Sequence, residues 1–228
     1  MNSLSFIDLY CERTAPGLWN EPLNAFSNLA FVIAAGLALH VALRRGKPDL
    51  PEIVVIALAG AIGVGSFLFH IFANSWTELA DVIPIWSFVG CFVGLIIYRS
   101  TNENPARTLR ITAIAACITG AVLWFTAGDI TTEAGASPDM FNGSLQYAPA
   151  LLALMFFALS AAIRRHPARH LVVGAAFAFL VSLVFRSIDL STCDATQVGT
   201  HFLWHLLNGA MVGLLLLALV NWFPPRQV

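Results

Sequence analysis

The sequence predicts an all-α integral membrane protein of seven transmembrane helices, with the N-terminus outside and the C-terminus cytoplasmic. Three observations predict it: a composition poor in charge, seven apolar runs near spanning length, and basic residues gathered at alternate connections. Of the 228 residues, 58% are hydrophobic and 11% charged, whereas a soluble domain carries roughly a quarter charged residues. Mean hydropathy is +0.76. Apolar runs this long need a hydrocarbon solvent rather than a single interior core. The net charge of -1 offers no general attraction to nucleic acid or to anionic surfaces, so neither is an expected partner. No obligatory protein partner is expected either.

A helix needs about 20 residues to cross a hydrocarbon core roughly 30 Å thick. The expected spans, in chain order, are Asn24–Leu43, Glu52–Phe72, Glu78–Tyr98, Leu109–Ala127, Leu145–Ile163, Leu171–Ser187 and Gly199–Trp222. Short polar breaks separate them. Exposed backbone is prohibitively costly in lipid, so the runs are expected to be helices packed as one bundle. The whole chain, residues 1–228, therefore reads as a single transmembrane domain, with 1–23 as an extramembrane segment and the bundle over roughly 24–222. The first residues show no basic stretch before an apolar one, so no cleavable signal peptide is expected. Gly90/Gly94 and Gly209/Gly213 are small-residue pairs that let helices approach closely.

Orientation follows from the basic residues. Arg44, Arg45 and Lys47 follow the first span; Arg99, Arg107 and Arg110 join the third to the fourth. Arg164, Arg165 and Arg169 join the fifth to the sixth, and Arg226 follows the seventh. The opposite side carries only Arg13 and Arg186. That asymmetry places the N-terminus outside and the C-terminus in the cytoplasm, which requires an odd number of spans.

On this topology Ser66 and His70 fall near the outer end of span two, Asp81 near the outer start of span three, and His201 and His205 near the outer start of span seven. Polar groups inside a membrane are costly and usually mark a function. His201-x-x-x-His205 sets two imidazoles one turn apart on one helical face, a geometry in which both can hold one metal. With His70 they make a three-histidine set with an open fourth position, the arrangement of a catalytic zinc that activates water near neutral pH. Asp81 is then a carboxylate placed to take a proton from that water. Each residue also has an ordinary reading. A histidine pair in one helix often packs without metal, and Ser66 serves equally as a small residue at a helix contact. Asp81 and Glu78 both occupy a first turn, where the helix dipole favours acids. Convergence at one depth favours the metal. His40, His166 and His170 lie towards the inner side and read as interfacial. Cys11, Cys91, Cys117 and Cys193 form no C-x-x-C pair, so a structural zinc ribbon is not expected. Cys91 and Cys117 fall within spans three and four and read as buried thiols.

Ser66-Phe-Leu-Phe-His70, Asp81 followed by Pro84, and His201-Phe-Leu-Trp-His205 resemble the alkaline ceramidases, part of a wider superfamily of seven-helix membrane hydrolases. Tyr10-Cys11-Glu12 and Glu21-Pro-Leu-Asn24-Ala-Phe-Ser27-Asn28-Leu are similar to the same family's lead-in to the first helix. The resemblance runs from about Asp8 to about Gly209. It implies zinc held by His70, His201 and His205, Asp81 as the group activating water, and Ser66 steadying the developing oxyanion. The implied reaction is hydrolysis of the amide of ceramide, or a similar N-acyl lipid, to a sphingoid base and a fatty acid. The substrate would be drawn from the bilayer to a zinc site near the non-cytoplasmic side. The resemblance further implies a calcium ion held by Asp8, Glu12 and Glu21. The chain departs from the family there, with an extra residue between Asp8 and Cys11 and with Thr14 in place of an asparagine. Read without the family, those three acids are equally a solvated acidic face. The resemblance also implies a disulfide between Cys11 and Cys193, which both fall on the outer, oxidising side; the alternative is two free thiols.

Three other readings share parts of this pattern. A receptor of the progestin/adipoQ type, or a hemolysin III-like protein, would share the histidines but not the Tyr-Cys-Glu and Glu-Pro-Leu-Asn stretches. A haem protein could use His70 and His205 as axial ligands, leaving His201 and Asp81 without a role. A proton-coupled transporter could use Asp81, although no span is interrupted at its middle.

Overall fold

The computed structural model describes residues 6–100, 104, 106–110, 113–114 and 141–225. The helices that build the bundle are α1 (Pro22–Ser27), α2 (Leu29–Arg45), α3 (Leu50–Phe72), α4 (Ser75–Ser100), α5 (Ala148–Ile163), α6 (Arg169–Ile188) and α7 (His201–Trp222), with a short turn of helix at Cys193–Thr196 before α7. No strand occurs among the described residues. Six helical stretches are long and apolar enough to cross a membrane, α1 and α2 together forming the first. The expected span Leu109–Ala127 lies outside the described residues apart from a few at its start, and so does Cys117.

Several helix ends differ from the sequence reading because capping decides them. α3 starts two residues earlier than expected: Pro51 occupies its first turn and the Asp49 carboxylate accepts the Glu52 N–H at 3.1 Å. It stops where Ala73 turns left-handed at φ 47. α4 starts at Ser75 because the Asn74 side chain accepts the N–H groups of Trp76 and Thr77, each at 3.1 Å. α7 starts at His201 rather than at Gly199, whose φ of 66 lies outside any right-handed helix.

The bundle is built around α7, which packs on α2 and α6; α3 packs on α4 and α2, and α5 on α6. Small residues bring α2 and α7 together. A Cβ on Gly209 would stand 2.5 Å from the Ala30 Cβ, and one on Gly213 would stand 3.3 Å from that of Ala34. Gly90, expected to mark a similar approach, faces open space. The outward faces are apolar: Ile33, Leu37, Phe156 and Phe177 are each more than half exposed. Exposed apolar surface on this scale belongs in lipid. Cys91 is also exposed, which corrects its reading as a buried thiol.

Contact between α3 and α4 has a specific backbone cause. Pro84 has no N–H, so the Ala80 carbonyl lacks its partner one turn on. Gly65 of α3 packs directly against that carbonyl, so closely that any Cβ at residue 65 would overlap it. The next residues along, Ser66 and Asp81, are thereby brought face to face. Gly65→Ala is expected to destabilise the bundle by about 1–3 kcal/mol through overpacking, and Gly90→Ala to be neutral. Thermal unfolding of both variants in detergent checks this; equal melting temperatures would remove Gly65 from this role.

At the end of the bundle away from His70 and His201 sits a charged knot. Arg45 pairs with Glu52 at 2.7 Å, and Arg99 pairs with Asp49 at 2.6 Å and with Glu52 at 3.3 Å. Arg45 also donates to the Val220 carbonyl, and Arg99 to that of Phe223 at 2.6 Å. Glu52 is fully buried, so the arginines supply the cations that its burial demands.

Candidate metal centre

The last turn of α3 presents His70 and the first turns of α7 present His201 and His205. All three are buried, and one ring nitrogen from each lies within 4.8 Å of the others. The Nε2 atoms of His70 and His205 stand 3.2 Å apart. Their outer nitrogens show what lies between them. The Ser27 hydroxyl donates to the Asn24 carbonyl at 2.8 Å, so it meets His205 Nδ1, also at 2.8 Å, with a lone pair. His205 Nδ1 therefore carries the proton. His70 Nδ1 lies 3.1 Å from the Glu21 carboxylate and is assigned as a donor in the same way. With both outer nitrogens donating, the two Nε2 atoms face each other with lone pairs, an arrangement that a cation between them would stabilise. Outer partners of this kind fix the ring orientation of metal-bound histidines. Three neutral imidazoles suit zinc. Tyr10 stacks on His201 with ring centres 3.9 Å apart, closing one side.

Ser66 is buried one turn before His70 on the same face of α3, and it is a close neighbour of Asp81 on α4. The structure thus groups Ser66 with Asp81, and His70 with His201 and His205, at one end of the bundle. Glu78 is an electrostatic neighbour of Asp81. An apolar groove of about 500 Å³ opens along the seam of α3 and α4, lined by Gly65, Leu68, Ala80 and Pro84 beside Ser66 and Asp81.

Asp8, Glu12 and Glu21 do not form a group of ligand atoms all within 4.8 Å of one another, although Glu12 and Glu21 are electrostatic neighbours. Asp8 is exposed. Glu12 caps α1, accepting the N–H groups of Leu23 at 2.9 Å and Asn24 at 2.8 Å. Glu21 is taken by Arg13 at 2.6 Å, Asn24 at 3.0 Å and His70. Among the described residues, the three histidines form the only metal-suited group of His, Cys, Asp and Glu side chains. Burial pushes the Glu12 carboxyl up, against the two backbone N–H groups that hold it down. Burial likewise pushes Glu21 up to about 7, with Arg13 opposing. The Tyr10 phenol is also raised by burial and stays neutral.

A disulfide joins Cys11 to Cys193, with Cα atoms 5.5 Å apart across a separation of 182 residues. Closing so long a loop stabilises by up to roughly 5 kcal/mol in the chain-entropy account. Asp189 sits beneath the bridge, fully buried, accepting the N–H groups of Cys11 at 3.0 Å, Thr200 at 2.7 Å and His201 at 2.9 Å. It fastens the N-terminal segment to the start of α7 and so fixes where the histidine pair begins.

Sequence reasoning missed Asp189, Arg13 and Arg186. The charge pattern places both arginines on the outer side and gives them no further role. The Arg186 guanidinium instead lies 5.3 Å from the Trp204 ring and 5.5 Å from the Tyr147 ring, with Tyr10 and Asp81 as electrostatic neighbours. An acid or base seated mid-fold with partners this remote in sequence leaves no local signal.

Fold and site together define a multi-pass helical membrane protein with a metal-suited three-histidine centre at one end. A comparison with individually curated proteins returns no match. Residues 9–223 match the ceramidase family, most of the chain, and the chain belongs to that family. Membership makes it a membrane hydrolase of the type that acts on a lipid amide.

Proposed function

We propose that the protein is a zinc-dependent amidohydrolase of ceramide or a similar N-acyl lipid, releasing a sphingoid base and a fatty acid. The observation that carries the reading is the close approach of the His70 and His205 Nε2 atoms, with a third histidine beside them and Ser66 and Asp81 one turn away. His70, His201 and His205 hold the metal. Bound there, zinc supplies a Lewis acid for the amide carbonyl and lowers the pKa of water at the site. Asp81 takes a proton from the attacking water and returns it to the departing amine. Ser66 donates to the carbonyl oxygen as negative charge develops there, which contributes a few kcal/mol. The apolar groove along α3 and α4 offers an acyl chain a surface on the outer face of these two helices.

The same reading includes a single seven-helix domain, N-terminus outside, with the site near the non-cytoplasmic face. The basic connections support that orientation. So does the burial of Arg13, because one of the two outer-side exceptions is then part of the site and not a loop charge.

Incubation of the purified protein with a panel of N-acyl lipids, followed by mass spectrometry, tests the proposal. A free fatty acid and a matching amine are the expected products. A zinc-loaded, folded protein that leaves every N-acyl sphingoid base intact would overturn it.

A further inference from the structure

Arg13 is the least expected residue beside the histidines. Its side chain is fully buried, although arginine is seldom buried without a stated partner. Every direction around the guanidinium is occupied. Nε donates to Glu21 at 2.6 Å, one terminal nitrogen to the Ile7 carbonyl at 2.7 Å, and the other lies 3.4 Å from both the Phe69 carbonyl and His70 Nδ1. The faces of Tyr10 and Phe69 cover it, with Cζ 4.8 Å and 4.6 Å from the two ring centres. One cation thus touches the N-terminal segment, the end of α3, and the carboxylate that orients His70.

The acids of this segment are correspondingly accounted for. Glu12 is spent on two backbone N–H groups, Asp8 is exposed, and Glu21 already has its positive partner. Among the described residues, Glu21 is the one of the three acids paired with a cationic side chain, and that cation is Arg13. We propose that Arg13 is the resident cation of the N-terminal segment, filling the role that the family resemblance had given to calcium, and that it acts as a positioning residue for His70 through Glu21. The protein accordingly needs no calcium. A guanidinium suits the place because it is charged at every accessible pH and offers donors in several directions, whereas an ammonium is a compact point charge.

The positioning half of this proposal rests on His70 as a metal ligand; the calcium half does not. Protein purified in calcium-free buffer, with its zinc content measured, is given millimolar calcium or, as control, magnesium. Radioactive calcium binding and thermal unfolding are then followed. The expected result is no stoichiometric calcium and the same melting temperature in both; one calcium per chain with a raised melting temperature would overturn the proposal. In the second arm, Arg13→Ala is expected to lower zinc affinity by about 10–100-fold, the usual effect of losing an outer partner, and Arg13→Lys to recover only part. Unchanged zinc affinity in a folded Arg13→Ala would overturn the positioning role. Should Arg13→Ala fail to fold, Arg13→Lys carries the second arm: weakened zinc binding supports the role and wild-type affinity overturns it. A wild-type protein that binds no zinc speaks against the proposed function, and the calcium measurement still decides its own half.

Discussion

His205→Ala is expected to strip the protein of zinc and to take turnover with it. His205 is buried, its Nδ1 is held by Ser27, and its Nε2 faces that of His70 across 3.2 Å. Alanine removes one of three ligands and leaves Ser27 with an unanswered lone pair in a dry pocket. The same holds for His70→Ala, where Glu21 loses its imidazole partner, and for His201→Ala, where Tyr10 loses its stacking surface. Loss of an outer partner alone costs about 10–100-fold in metal affinity or activity; loss of a ligand exceeds that. Ser27→Ala provides the milder comparison. Elemental analysis of the purified variants measures the outcome, and full zinc retained in all three alanine variants would place the metal elsewhere.

Asp81→Asn is expected to leave zinc and fold in place while turnover falls by about 10²–10⁴-fold, the usual weight of a positioned proton-transfer group. The amide keeps the size of the carboxylate. What it cannot do is receive the proton of the attacking water. Ser66→Ala is expected to be milder than Asp81→Asn, because one hydrogen bond to the developing oxyanion is lost while the proton acceptor remains. Glu78→Gln is the control, since both acids lie near the start of α4. Turnover by zinc-loaded variants on a short-chain N-acyl sphingoid base decides between the two acids: an active Asp81→Asn beside a dead Glu78→Gln would exchange their roles.

Six of the expected spans and the histidine set were legible because both follow local rules. Hydropathy over about 20 residues identifies a span, and the spacing of His201 and His205 states by itself that they share a helical face. The caps were not legible to the residue, since Asn74 and Asp49 act through side-chain geometry that composition does not carry. Glu21 shows the deeper limit. Its partner His70 lies 49 positions away and its cation Arg13 lies 8 positions away, on the far side of a turn. Charge counting placed Arg13 on an outer loop because it weighs residues by sequence neighbourhood, while burial is decided by packing against Phe69 and Tyr10. The pairing of Cys11 with Cys193 came from family resemblance and topology, and no spacing rule alone would have chosen it.

The knot formed by Arg45, Glu52, Arg99 and Asp49 also has a mechanical meaning. It ties the ends of α2, α3 and α4 to one another and to the carbonyls at the tail of α7. Every helix that carries a proposed catalytic or metal-binding side chain is therefore pinned at the extremity opposite its functional group. Near Ser66 and Asp81 the contact of Gly65 with the Ala80 carbonyl sets the spacing of α3 and α4, and at the other end the knot does. The two helices are thus held in register from both ends, by packing at one and by charge at the other.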